Sequence, residues 1–434
     1  MKAIQGMNFF QKYTKGHVFN LYVKLLPFLI LYIVVCLVFS NNATMVGDEP
    51  RYWQYAENLL NGFYAFENNT FLWNGPGYPI VLMPFRWLDT PLIVPKLLNA
   101  LLLYFSLILF CKTLAFYLSE KKSFCLTVLL GLYYPNFMDS VPFLMTEALA
   151  FFFTSVFMFY ICKVAREQRR GNFSRNIFMA TLSLAALTLT KVIFGYVIIV
   201  MLLVALLLSV VKQLRQQLKP YLIITALSIG LCSPYLFYTY SLTGQVYYWG
   251  NSGSMLMYWM SSPHPDELGD WHAFNLNEHP KLKEHHGEYI HSIMGLSPVE
   301  RDKELKRKAI ENIKQNKKKY VYNWVANVGR MFFSYPLSYI EPSNGIFYFL
   351  IPNMFLLVFM MLALIISLKF IRKIPIEILF LVFTMAVYLG GTSMISSYAR
   401  FLYVAIPILL LWIAFVFSRY LKVDAGFSKA EEND

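Results

Sequence analysis

Cysteine is scarce and scattered in this chain. The 434 residues hold five, Cys36, Cys111, Cys125, Cys162 and Cys232, with no CxxC spacing. Each falls in an apolar stretch, so they read as small buried hydrophobes, and neither a disulfide framework nor a thiolate metal knuckle is expected. Charge is scarce as well: Asp, Glu, Lys and Arg make up 15% of the chain, against about 25% in soluble domains. Acids are the rarer sign, 25 against 38 bases. Internal repeats, low-complexity tracts, P-loops and GxGxxG turns are all missing, which removes the common nucleotide-binding designs. The few carboxylates therefore carry most of the chemical information.

What is present is apolar. Hydrophobic residues make up 57% of the chain, aromatics 18%, and the mean hydropathy is +0.47, a composition for lipid and its interfacial belts. Runs near bilayer length lie at 22–39, 92–118, 123–139, 143–163, 192–211, 220–238, 345–368, 375–393 and 402–420, where about 20 residues are needed to span. Residues 177–190 are short but long enough to cross with tilt. Residues 78–88, broken by Pro79 and Pro84, fit a re-entrant or interfacial piece. With 177–190 crossing and 78–88 not, Lys121/Lys122, Arg166/Arg169/Arg170/Arg175, Lys212/Arg215/Lys219, Lys369/Arg372/Lys373 and Arg419/Lys422 share one side with Lys12, Lys15 and Lys24. That is the positive-inside pattern, with both termini cytoplasmic and the first run an uncleaved signal anchor. Segments 40–91 and 239–344 then face outward, dividing the chain into a transmembrane module (1–238), an outer-loop region (239–344) and C-terminal helices with a tail (345–434). The net charge of +13 is mostly topology signal. The basic stretch "RDKELKRKAIENIKQNKKKYVYNWVANVGRMFF" reads as a solvated amphipathic helix on anionic lipid, and nucleic acid is not expected as a partner.

The outward face gathers the unusual residues. Asp48 and Glu49 open a stretch in which Tyr52, Tyr55, Ala56 and Leu59 recur at helical spacing. Read locally, Asp48 is an N-cap, with Pro50 in the first turn and both acids complementing the helix dipole. Glu147 sits one turn inside a span, where an ionisable group is costly and faces a cavity or partner. Asp139, just before it, reads as a loop or cap residue. Lys191 and Arg400 lie at outer turns between spans, and Arg51, Arg86 and Lys96 lie near the outer interface. A lone cation there only snorkels. Several converging from distant segments, opposite carboxylates, are what phosphate recognition and base catalysis need. Six histidines, His264, His272, His279, His285, His286 and His291, share one outer stretch with interspersed acids. Their spacing matches no established ligand motif, so surface contact is the plainer reading and a divalent metal the alternative. The sequons at Asn42 and Asn68 matter only in a eukaryotic secretory pathway.

"GDEPRYWQYAENLLNG" followed by "NGPGYPIVLMPF" resembles the first outer loop of the GT-C glycosyltransferases that use polyprenyl-phosphate sugars. The nearest likeness is to bacterial relatives of the dolichyl-phosphate-mannose–protein mannosyltransferases and to the undecaprenyl-phosphate aminoarabinose transferases. "YYPNFMDSVPFLMTEALAFF" resembles their later acid-bearing span start. "LAALTLTKVIFG" resembles a segment where relatives carry Arg-Pro and this chain has Lys191-Val192. "SPYLFYTYSLTGQVYYWGNSGSMLMYW" resembles the exit into the large outer loop, with Tyr235 and Tyr238 in place of Trp and Arg. "SSYARFLYVAIPIL" resembles the terminal Arg-Tyr segment, with Phe401 for Tyr.

The resemblance implies an all-α polytopic membrane protein, GT-C-like, with about 10–11 transmembrane helices and two large outer loops bearing juxtamembrane helices. It implies a glycosyltransferase of the bacterial cytoplasmic (inner) membrane, taking a polyprenyl-phosphate sugar to a glycan, lipid or protein acceptor on the outer face. Asp48 is then the general base of an inverting transfer, with Glu147 the second catalytic acid and Glu49 a supporting acid that raises one pKa of the Asp48 pair. Arg51, Lys191 and Arg400 hold the donor phosphate. No cofactor is assigned, and a divalent-metal requirement stays open. The competing class is a transporter or flippase of lipid-linked sugars, for which the outer-face clustering of charge and the absence of repeats argue poorly. A non-catalytic scaffold that keeps the fold is the third.

Overall fold

Long apolar runs give long helices, and the polar stretches between them give short ones. The computed structural model describes residues 16–41, 43–66, 70–167 and 174–421, and every regular element among them is helical. Lys12, Lys15, Asn42, Asn68, Arg169, Arg170 and Lys422 lie outside the described residues. In chain order the helices are α1 (Gly16–Phe39), α2 (Glu49–Leu60), α3 (Gly77–Trp87), α4 (Ile93–Leu114), α5 (Glu120–Gly131), α6 (Tyr134–Ser140), α7 (Thr146–Glu167), α8 (Ser174–Thr190) and α9 (Ile193–Leu208). They continue as α10 (Lys212–Thr243), α11 (Gly253–Met260), α12 (Pro280–Met294), α13 (Pro298–Gln315), α14 (Lys317–Phe333), α15 (Ile346–Phe370), α16 (Ile376–Ser393), α17 (Arg400–Tyr403) and α18 (Ile406–Tyr420).

Among the described residues six helices are long and apolar enough to cross a membrane: most of α1, then α4, α7, α10, α15 and α16, while α9 and α18 are shorter apolar helices. The protein is an integral membrane protein. On α15, Phe347, Ile351, Phe355, Val358, Leu362 and Ile365 are exposed, which is costly in water and ordinary against lipid tails. The helix at 78–88 has 11 residues, about half a span. The stretch 123–139 is not one helix. It breaks at Leu132–Tyr133, because Pro135 in the first turn of α6 has no N–H to give the Gly131 carbonyl four residues back and its ring would clash with that carbonyl, so α5 cannot run on through it. The basic stretch from Arg301 is also two helices, parted at Asn316, a residue type whose side chain competes with the helix backbone.

Two units position the site. The membrane unit is one large core in which α7 packs against α4 and α8, and α10 against α8 and α9. The outer unit has its own core of Met255, Tyr258, Trp259, Leu282, Ile290, Leu305 and Ala309. The first outer loop is tied to the second by side chains from the end of α10. The Tyr238 hydroxyl accepts the backbone N–H groups of Tyr64 and Ala65, both at 3.0 Å. The Tyr235 hydroxyl donates to the Trp249 carbonyl at 3.0 Å. These tyrosines, which depart from the GT-C pattern, join the loops.

Candidate active site

The glycines of "NGPGYP" bring the first loop to the site. A Cβ on Gly75 would lie 2.0 Å from the Leu189 carbonyl oxygen, and one on Gly77 would lie 2.6 Å from Thr190 Oγ1. Only glycine lets this backbone rest on the end of α8. Lys191 follows directly, and its Nζ donates to Glu147 Oε1 at 2.8 Å. Glu147 is in the first turn of α7, where the helix N-terminus favours an anion. Across from it, Arg51 on α2 bonds Asp48 Oδ1 at 2.6 Å, and Arg400, opening α17, bonds Asp48 Oδ2 at 3.1 Å. The Arg400 Nε lies 4.0 Å from Glu147 Oε1, so one guanidinium bridges the two carboxylates.

All five residues line a cavity of about 1180 Å³. Asp48, Glu147, Arg51, Lys191 and Arg400, named from separate segments, therefore come together. Asp48 does occupy the N-cap position of α2, but its carboxylate makes no capping hydrogen bond. It is committed to the two arginines instead. Burial works against its charged form, yet Arg400 and Arg51 outweigh that cost and hold its carboxyl below the usual value.

Glu49 does not behave as a neighbour of that kind. Fully buried and absent from the cavity wall, it ion-pairs with the equally buried Lys96 at 3.2 Å. It also accepts the backbone N–H groups of Leu144 and Val46, each at 2.8 Å. It staples the first loop to the start of α7, and the charged group that faces it is the Lys96 ammonium rather than Asp48. Lys96 belongs to that staple. Arg86 pairs with Glu57 at 3.2 Å and Asp89 at 3.4 Å, away from the cavity. Asp139 is neither cap nor loop: it lies within α6 and accepts the Tyr403 hydroxyl. Cys125 is exposed, unlike the other four cysteines.

The sequence reading missed Asn74, Trp73 and Asp302. Asn74 accepts from Arg51 Nε at 2.7 Å and donates to the Tyr52 hydroxyl at 2.9 Å, while Trp73 places its ring 4.8 Å from the same guanidinium. Together they fix Arg51 in the plane that meets Asp48. The signal was the Trp-Asn pair preceding "GPGYP". Asp302 lines the far side of the cavity, accepts the Tyr248 hydroxyl at 3.0 Å, and is pushed above its ordinary pKa by burial. Its position inside a long basic run disguised it.

Three cations against two acids leave the inner cluster one positive charge in excess. Such a site suits a singly charged phosphodiester, which would compete with Asp48 for Arg51 and Arg400.

No family model matches the chain, and no curated protein matches it. Solved structures do. An oligosaccharyltransferase from Archaeoglobus fulgidus, tethered to an acceptor peptide containing the NVT sequon, aligns with TM-score 0.50 and 12% identity, covering 94% of this chain and 50% of that one. AglB of the same organism, in complex with an inhibitory peptide and a dolichol-phosphate, aligns with TM-score 0.48 and 12% identity over 91% and 50%. ArnT from Cupriavidus metallidurans bound to undecaprenyl phosphate aligns with TM-score 0.37 and 14% identity over 90% and 77%. The chain spans about half the length of the oligosaccharyltransferases it matches. At 12% identity the likeness is one of fold: this is an all-helical membrane protein whose fold is similar to that of the oligosaccharyltransferase.

Proposed function

We propose that the chain is a membrane-embedded glycosyltransferase that moves a sugar from a polyprenyl-phosphate donor to an acceptor on the outer face of the membrane. The observation that carries this reading is the single cavity into which Asp48, Glu147, Arg51, Lys191 and Arg400 all project. The fold shared with an oligosaccharyltransferase and the GT-C-like motifs support it.

In this mechanism the donor phosphodiester enters beside Arg51 and Arg400. Their attraction is then divided between phosphate and Asp48, so the Asp48 carboxylate becomes a stronger base as donor binds. It removes the proton from the acceptor hydroxyl or amine while that atom attacks the anomeric carbon. The bond from that carbon to the phosphate oxygen breaks, and the lipid phosphate leaves with both electrons as a dianion. It needs no proton, only cations, which Arg51, Arg400 and Lys191 supply. One base on the face opposite the leaving group inverts the anomeric centre. Glu147, neutralised by Lys191, holds Arg400 in place and meets the sugar.

The test uses the purified protein in vesicles carrying a polyprenyl-phosphate sugar. Asp48→Asn is expected to lose about 10²–10⁴-fold in transfer, the scale of a lost general base, while its helical circular dichroism spectrum stays that of the native chain. Near-native transfer by that variant removes Asp48 from the role. Sugar that crosses the bilayer still attached to its lipid would establish the flippase instead.

A further inference from the structure

The second outer loop holds a cluster that the transfer chemistry does not use. His264, in the loop after α11, and His285 and His286 on α12 each offer a ligand atom, and these three atoms lie within 4.8 Å of one another. Among them sits Glu267, buried to 2% exposure. The Glu267 carboxylate is 2.8 Å from His285 Nδ1 and 2.9 Å from His286 Nε2. We propose that His264, His285, His286 and Glu267 form a zinc site that clamps the outer loop over the cavity.

Donor chemistry favours a metal. Three imidazoles and one carboxylate are the nitrogen and oxygen set that zinc takes, and tetrahedral bonds of about 2.0–2.1 Å would space the ligand atoms roughly 3.4 Å apart. The pairs to Glu267 already approach that spacing, and closing the histidine triangle needs side-chain shifts of about 1 Å or less. His286 shows the outer support that ligating histidines have: its Nδ1 is 2.7 Å from the Tyr258 hydroxyl, leaving Nε2 directed at the cluster. His264 stacks on His285 with ring centroids 3.8 Å apart, and its backbone N–H donates to Ser262 Oγ at 3.3 Å, while its ring nitrogens make no hydrogen bond among the described residues. The neighbouring Lys319 ammonium donates to the Glu267 main-chain carbonyl and to Asn323, while the Ser262 and Tyr339 hydroxyls donate to the Glu267 carboxylate beside the histidines. His272, with Glu278 at 2.7 Å, and the exposed His291 lie outside the cluster.

The clamp reaches the active site through α11. Tyr258 carries the hydrogen bond to His286, Trp259 packs on the same ring at 4.8 Å, and Ser254, Met255, Leu256 and Met257 of the same helix line the cavity. A metal on His286 therefore fixes a cavity wall without entering it. This holds whether or not the cavity transfers sugar.

The experiment is metal analysis of the purified full chain after loading with zinc and gel filtration. The native chain is expected to keep about one zinc, and to melt at higher temperature with zinc than after chelation. His264→Gln and His285→Gln are expected to weaken zinc binding at least about tenfold, while His291→Gln keeps it. Cobalt in place of zinc should give the intense visible bands of a tetrahedral site, lost in His285→Gln. The proposal is overturned if the native chain keeps no zinc, if the double variant His264→Gln/His285→Gln keeps as much, or if zinc leaves with His291→Gln.

Discussion

Asp48 is gripped by two guanidinium groups, and that grip dictates its behaviour with pH. Its folded value is depressed, so the stability it contributes is present in full above the unfolded value near pH 4 and is lost only as pH falls through the lower folded one. The same ionisation sets the acid limb of kcat/KM, which reports the free enzyme. Transfer is therefore expected to hold level from neutrality down to about pH 4, the ordinary carboxylate range, and to fall only below it. Arg400→Gln is expected to cost about 10²–10³ in rate, as a lost charge-stabilising donor does, and to move the acid limb of the remaining activity upward. An unmoved limb in that variant assigns it to another group. At this scale the sequence was a good guide to which residues matter and a poor one to their partners. Adjacent acids suggested that Asp48 and Glu49 act on each other. A helix start points consecutive side chains in different directions, so one meets arginines in a cavity and the other a buried lysine.

The elements meet where charge and glycine allow. Glu49 and Lys96, both at zero exposure, join α2 to α4 and to the segment before α7. Breaking a buried pair by removing one partner costs about 3–5 kcal/mol, because the other charge is left uncompensated. Lys96→Met is expected to lose stability on that scale in detergent denaturation, and Lys96→Met/Glu49→Gln to recover part of it. Equal stability of native and single variant would show that the staple holds nothing. Gly75→Ala drives a methyl into the Leu189 carbonyl and is expected to cost about 1–3 kcal/mol and to displace Arg51 from Asp48, lowering transfer with no charge removed. Helix existence was legible from helical spacing in α2 and from the length of the apolar runs in α4, α7 and α16. The break at Leu132–Tyr133 and the one at Asn316 were not, because hydropathy runs straight through the first and basic charge through the second. The histidine cluster was hidden for a related reason: loop closure, rather than spacing along the chain, sets its geometry.

Across the whole molecule, the charges order the helices end to end. In α7, Glu147 lies in the first turn and Arg166 in the last. In α8, Arg175 opens the helix and Lys191 follows its end, and α9 then runs back toward Lys212. The 22 residues of α7 rise about 33 Å, the thickness of a bilayer core. Each of these helices thus has topogenic bases at one end and a cavity residue at the other. We infer from the positive-inside rule that the bases mark the cytoplasmic side and that the cavity opens outward, where a large loop translocates whatever its own charge. Two exposed positions test this, Ser292 on α12 and Gln213 at the start of α10. Four native cysteines are buried, so replacing the exposed Cys125 by serine leaves a quiet background. In that background, a membrane-impermeant maleimide is expected to label Ser292→Cys on intact cells and Gln213→Cys only after permeabilisation. The reverse pattern would put the cavity on the cytoplasmic face and remove the outer-face acceptor. Labelling of both without permeabilisation would mean that α10 does not cross.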